Sequence, residues 1–342
     1  MQLDRGAATD GAGDVRADAV AAERDGFDGF WLGEVKHDPF VGLAVAATAT
    51  ERVQLGTAIA LAFARNPMTT AVTANDLQAL TGGRFVLGLG TQVKAHITRR
   101  FSMPWSHPAP RMREYVLTLR AIWDTWHTGT PLDFHGDFYT HTLMTPMFVP
   151  PEHGHGAPPV LLAGVGETMT EVAGEVADGF LPHGFTTERY LREVTLPALE
   201  RGRAKVGASL EGFVVKGSPM IATGRTEEEL EKAKAGVRSQ IAFYGSTPAY
   251  RGVLELHGWG ELGDRLHQLS REGRWGEMGP LLGDEVLETF AVVGSPEDVG
   301  AEVVRRYGDV FDRMSLYTPY DLDSRLVSDL AAAVRRAGRH AP

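Results

Sequence analysis

Apolar runs rich in Val, Ile, Leu and Phe alternate with helical patterns from one end of the chain to the other. FDGFWLG (27–33), RVQLGTAIAL (52–61), RFVLGLG (84–90) and PVLLAG (159–164) read as strands, followed by DGFLPH (178–183), FVVKGSPMIA (213–222) and DRMSLYT (312–318). Met1–Leu3 serves as a short opening strand. These runs are apolar on successive positions instead of alternate ones, the pattern of parallel strands covered on both faces. Between them, Met112, Tyr115, Val116, Leu119, Ile122, Trp123 and Trp126 recur at three and four residues and form one broad helical face. Met169, Val172, Ala173 and Val176 repeat that spacing. Thr226 with Glu229, and Ser295-Pro296 with Asp298, have the form of helix N-terminal caps. Gly82-Gly83 and Gly129 have the form of helix stops.

Eight strands, each followed by a helical stretch, predict a closed α/β architecture, the (β/α)8 TIM barrel. Such a barrel takes about 250 residues, so roughly 90 residues of this chain fall in insertions. Two stretches are expected to hold them, one at about 129–158 and one at about 244–288, within a single barrel domain spanning 1–342. Chemistry on a barrel belongs to the loops after the strands. Those loops are GEVKHDPF (33–40), AFARNPM (62–68), GTQVKAH (90–96), GVGE (164–167), HGFT (183–186) and YTPY (317–320).

Composition removes several classes. With 34 Lys and Arg against 44 Asp and Glu, the formal net charge is −10, which gives no general grip on nucleic acid or anionic lipid. Cysteine is absent, and with it thiolate nucleophiles, disulfides and Cys-ligated metal. No apolar run approaches the 18 or so residues of a membrane span, and MQLDRGAATDGAGD lacks the apolar centre of a secretory signal. The chain is therefore expected to be soluble and cytoplasmic, acting on a small molecule. The 12 histidines raise a metal hydrolase, but His153-Gly154-His155 lies in an insertion, away from any strand end. No Gly-x-Ser-x-Gly elbow offers a serine nucleophile.

Three clusters carry candidate chemistry. Gly88-Leu89-Gly90 lacks the third glycine of a dinucleotide fingerprint and reads instead as backbone passing close to a neighbour or a bound ring. Ala163-Gly164-Val165-Gly166-Glu167 ends a strand and opens a helix, so its N–H groups could converge on an anion. The alternative is an ordinary strand–helix turn, and Glu167 counts against a phosphate there. Glu34, His37 and Asp38 can hold and transfer a proton near neutral pH. The alternative is a solvated loop with a helix cap at Asp38-Pro39.

Taken together, GFDGFWLGEVKHDPF, ERVQLGTAIALAFARNPM, LTGGRFVLGLGTQVKAHI, RMREYVLTLRAIW, AGVGETMTEVAGEVADGFLPH, FAVVGSPEDVGAEV and DRMSLYTP resemble the bacterial luciferase-like monooxygenase superfamily. EVKHDPF (34–40), ARNPM (64–68) and TQVK (91–94) are most similar to its actinobacterial branch that uses coenzyme F420, an 8-hydroxy-5-deazaflavin. The resemblance implies a homodimeric oxidoreductase with the deazaflavin in the barrel mouth and hydride passing between its C5 and an organic substrate. It implies a bulge at Thr57-Ala58-Ile59 with a cis bond between Ala58 and Ile59, backing the ring. It sets Gly90, Thr91 and Gln92 along the ring's other side, Gly164, Val165 and Gly166 at the tail phosphate, and His37 or Glu34 as the proton-transfer group. Two rival readings stand beside it: an FMN-dependent monooxygenase on the same fold, and a deazaflavin-binding protein without turnover.

Overall fold

The computed structural model describes residues 1–8 and 14–340. Among them, eight parallel strands close into a barrel: β1 (Gln2–Ala8), β2 (Gly29–Gly33), β3 (Gln54–Thr57, resumed at Ala60–Leu61), β4 (Phe85–Gly90), β5 (Val160–Gly164), β6 (Gly179–Pro182), β7 (Val214–Gly217) and β8 (Arg313–Ser315). Closure runs through β8, which pairs with β1 at Gln2↔Arg313 and with β7 at Lys216↔Arg313. All eight expected strands are barrel strands.

Successive residues face opposite layers. Phe30, Leu32, Phe85, Leu87, Val160 and Leu162 are buried in one layer that also takes helix residues such as Leu43, Leu77, Tyr115 and Val172. Trp31, Val86, Leu161 and Leu181, the residues between, form a separate cluster inside the barrel. That division explains why the strands read as unbroken apolar runs. The caps are as the residue pattern expects. Thr226 accepts from Glu229 N–H, Ser295 accepts from Asp298 N–H, and Gly129 closes helix Pro108–Thr128 with φ 72°.

One expected strand is divided. The run 213–222 is two strands, β7 and Met220–Thr223, and the second leaves the barrel to pair with Ala291–Gly294. Pro219 stands at the break, where it has no N–H to give a ladder; its carbonyl accepts from Tyr317 N–H at 3.0 Å. Helices Glu227–Gly245, Arg251–Leu256, Gly260–Arg271 and Asp284–Phe290 follow. They share an apolar core of their own with the small sheet, including Ile241, Leu254, Leu266 and Phe290. The segment 244–288 lies within this unit, and Trp259 stacks there on His257 at 4.8 Å. In 129–158, a short hairpin (Phe134–His135 with Thr140–His141) brings Tyr139 onto Arg111 and Tyr115. Among the described residues, no helix is long and apolar enough to cross a membrane.

Candidate active site

The interruption of β3 is the centre of the barrel mouth. Ala58–Ile59 is a cis peptide bond between non-proline residues. The backbone there is held from β2: Ala58 N–H donates to Leu32 O (2.8 Å) and Glu34 N–H to Ile59 O (3.0 Å). On the other side, Thr57 Oγ1 donates to Gly88 O (2.7 Å) and accepts from Gly88 N–H (2.9 Å), standing in for the missing ladder. A methyl group on Gly88 would fall 1.9 Å from Thr57 O, and one on Gly90 would fall 2.1 Å from Ile59 Cδ1. Gly88 and Gly90 therefore let β4 press against the bulge, a close approach to a neighbour.

The cluster after β2 divides its labour. Asp38 caps helix Pro39–Ala47, accepting from Phe40 N–H at 2.8 Å. Arg65, from the loop after β3, reaches Glu34 Oε2 (2.6 Å) and Asp38 Oδ2 (2.7 Å). Glu34 Oε2 also accepts from Leu61 N–H at 2.8 Å, so this carboxylate ties the resumed strand to the mouth loop. His37 is exposed on that loop. The sequence does not disclose this role of Arg65, because a lone arginine in ARNPM gives no sign of which acid it will meet. Glu34→Ala is expected to cost about 3 kcal/mol, since it leaves a buried N–H and a guanidinium arm without their acceptor. Glu34→Gln retains an acceptor oxygen and should cost about 1 kcal/mol. Urea denaturation of the two variants checks the difference; equal losses would remove the ion pair from the account.

The connection from β4 to helix Pro108–Thr128 rims the same opening. Gln92, Ser102 and His107 all lie in it, and they are the non-glycine residues with positive φ among those described. Such conformations concentrate at functional sites. Thr91 Oγ1 donates to Gln92 O (2.9 Å), and Gln92 Oε1 accepts from Val93 N–H (2.9 Å). Arg100 donates to Val35 O at 2.8 Å, joining this rim to the loop that carries His37.

After β5, Gly166 precedes helix Glu167–Val176 and no side chain caps its first turn. Those N–H groups are left for another acceptor. Glu167, the residue that counted against an anion, is turned to Arg201 at 2.8 Å. Gly164 and Val165 line a small cavity together with Thr186, whose buried hydroxyl has no hydrogen-bond partner. Across the mouth, His183 follows β6 and Tyr317 follows β8. Their loops, HGFT and YTPY, stand out in the sequence, but their meeting with Tyr244 has no local signal. Among the described residues, no group of three or more His, Cys, Asp or Glu is gathered to hold a metal.

Comparison with known proteins fits this geometry. The family model for luciferase-like monooxygenases matches residues 2–313. An uncharacterized protein of Mycobacterium tuberculosis is 54% identical over 296 residues, covering 86% of this chain and 87% of that one. The F420-dependent glucose-6-phosphate dehydrogenase of Nocardia farcinica is 31% identical over 211 residues, 57% of this chain and 60% of that one. Among solved structures, the coenzyme F420-dependent tetrahydromethanopterin reductase of Methanopyrus kandleri superposes with a TM-score of 0.80 at 20% identity, covering 97% of each chain. With the fold and the family model in agreement along the barrel, the chain belongs to the luciferase-like monooxygenase family, whose members similar to it include F420-dependent oxidoreductases.

Proposed function

We propose that this protein is a coenzyme F420-dependent oxidoreductase acting on a small organic molecule. The observation that carries the reading is the interrupted β3, whose bulge between Thr57 and Ala60 is braced by Thr57, Gly88 and Glu34 at the barrel mouth. The residues present suit the cofactor. Ile59 lies across Gly90, offering an apolar surface to one face of a planar ring. The turn Gly164–Val165–Gly166, which opens onto the uncapped first turn of helix Glu167–Val176, suits a phosphate on its tail. Bound there, a deazaflavin supplies a carbon that gives or takes a hydride, while the protein orients it and sets the electrostatics.

In this reading His37 moves the accompanying proton, being exposed at the mouth and carrying an imidazole that can both give and take one. Glu34, held by Arg65 and Leu61, positions the loop that carries His37. Gln92 and Thr91 would hold the ring from the β4 side. The test is equilibrium binding of oxidised F420 and of FMN, side by side, by fluorescence quenching. Micromolar or tighter binding of F420 with weak FMN binding supports the reading, and the reverse preference replaces it with a flavin monooxygenase. His37→Ala should then lower turnover roughly hundredfold, the usual range for a lost acid–base group, with F420 affinity nearly unchanged. Undiminished turnover would remove His37 from the mechanism.

A further inference from the structure

The side of the mouth facing away from the β3 bulge carries a second set of polar groups. His183 stands at the end of β6, with Tyr244 edge-on to its ring at 4.6 Å and Tyr250 tilted over it at 4.7 Å. Its Nδ1 accepts from Phe185 N–H at 3.0 Å. The proton of the neutral ring therefore sits on Nε2, as a donor. Tyr317, after β8, meets Tyr244 hydroxyl to hydroxyl at 3.1 Å. A methyl group on Gly184 would lie 3.3 Å from Tyr317 Cδ1 and 3.4 Å from Ser218 O, so the ends of β6, β7 and β8 converge here. All four rings are half-buried.

Two features define what such a place can receive. Two phenols bonded to each other share one of their two protons, and the other is left to donate to a third atom. The set is also uncharged. Burial pushes His183 down to about 4, so the ring is neutral at physiological pH. Burial likewise pushes the Tyr244, Tyr250 and Tyr317 hydroxyls up, and they stay protonated. Beyond burial, the groups acting on these tyrosines are one another and Gln240, with no Lys, Arg, Asp or Glu among them.

We infer that His183 and the Tyr244–Tyr317 pair form the subsite that receives the substrate's oxygen, and that the substrate is an uncharged carbonyl compound or alcohol with an apolar body. The inference rests on the proposed function for its setting, since it assigns the face of the mouth opposite the ring. Neutral donors walled by aromatic rings match a ketone or hydroxyl oxygen. They cannot offset the desolvation of a carboxylate or phosphate, for which a buried cation is required.

The probe is cyclohexanone labelled with 13C at the carbonyl, titrated into the full-length chain with and without oxidised F420 and followed by the carbonyl resonance. Cyclohexanecarboxylate and cyclohexyl phosphate are titrated in parallel. The ketone is expected to bind with a downfield carbonyl shift, and the two anions to bind at least about tenfold more weakly. Tyr244→Phe/Tyr317→Phe should weaken the ketone by about tenfold, equivalent to roughly 1.4 kcal/mol, and abolish the shift. Tyr317→Phe alone leaves one donor and should retain part of both effects, which guards against a double variant that folds poorly. A ketone that does not bind, binding indifferent to both variants, or preference for either anion overturns the inference. The F420 titration is read separately, so a chain that binds the ketone through these tyrosines but not F420 contradicts only the proposed cofactor.

Discussion

Replacing Gly88 with alanine is expected to remove about 3 kcal/mol or more of stability, the upper range for forcing extra volume into a packed interior. The added methyl would stand 1.9 Å from Thr57 O, a backbone atom fixed by the hydrogen bonds of the bulge. Neither strand can yield without breaking the Thr57–Gly88 bridge that replaces the ladder. Gly90→Ala offers the contrast. Its methyl meets Ile59 Cδ1, the far end of a flexible side chain, so a change of rotamer relieves it. That costs about 1 kcal/mol. Gly90→Ala should therefore stay folded and, on the proposed function, lose F420 affinity, because the Ile59 side chain proposed to face the ring has moved. Gly283→Ala, at φ −67° with nothing within 4 Å of the new methyl, serves as a control and should stay within about 0.5 kcal/mol of the parent. Urea midpoints for the three variants settle the order; a Gly88→Ala variant as stable as Gly283→Ala would refute the bridging role.

The glycines illustrate what a sequence can and cannot disclose. Gly88 and Gly90 on a strand imply that something comes close, and the residues that do are Thr57 and Ile59. The eight strands were legible because a parallel barrel buries both faces, and the caps at Thr226 and Ser295 because capping is local. The departure of Met220–Thr223 from the barrel was not, since FVVKGSPMIA is apolar on both sides of Pro219 and a proline alone does not tell which sheet the chain joins next. Its partner, Ala291–Gly294, is a four-residue run that nothing local marks as a strand. At the site, the local pairing of Asp38 with its helix could be read. The Arg65 bridge to Glu34 and the contacts of Tyr244 with His183 and Tyr317 join residues 31, 61 and 73 positions apart and depend on barrel closure. Side chains of this kind reveal only which loop they occupy.

The longest-range of these arrangements gives the second large expected effect. At the opposite end of the barrel interior from the mouth, Arg313 forms a two-pronged pair with Asp4 at 2.6 and 2.7 Å. Lys216 donates to Ser315 Oγ at 2.9 Å and lies 3.9 Å from Asp4, with its ammonium 4.7 Å from the centre of the Trp31 ring. One buried carboxylate thus serves two buried cations. Asp4→Asn should cost about 3–5 kcal/mol, the range for stripping a buried pair of one partner. Lys216 is pushed down to about 8 by burial, against the pull of Asp4. Below that pH the folded and unfolded chains both carry the charge, and folding bears its full desolvation. Between about 8 and the ordinary 10.5, the folded chain has released the proton while the unfolded chain retains it, so stability rises with pH. Measured against Lys216→Met, which keeps the volume without the charge, the parent should gain about 3 kcal/mol across that interval. At pH 7 Lys216→Met should be as stable as the parent or more so, because the Asp4–Arg313 pair is already neutral overall. A difference between the two that does not change from pH 7 to 10.5 would mean that Lys216 is no more burdened inside the barrel than in water, and that Asp4 alone fully offsets its burial.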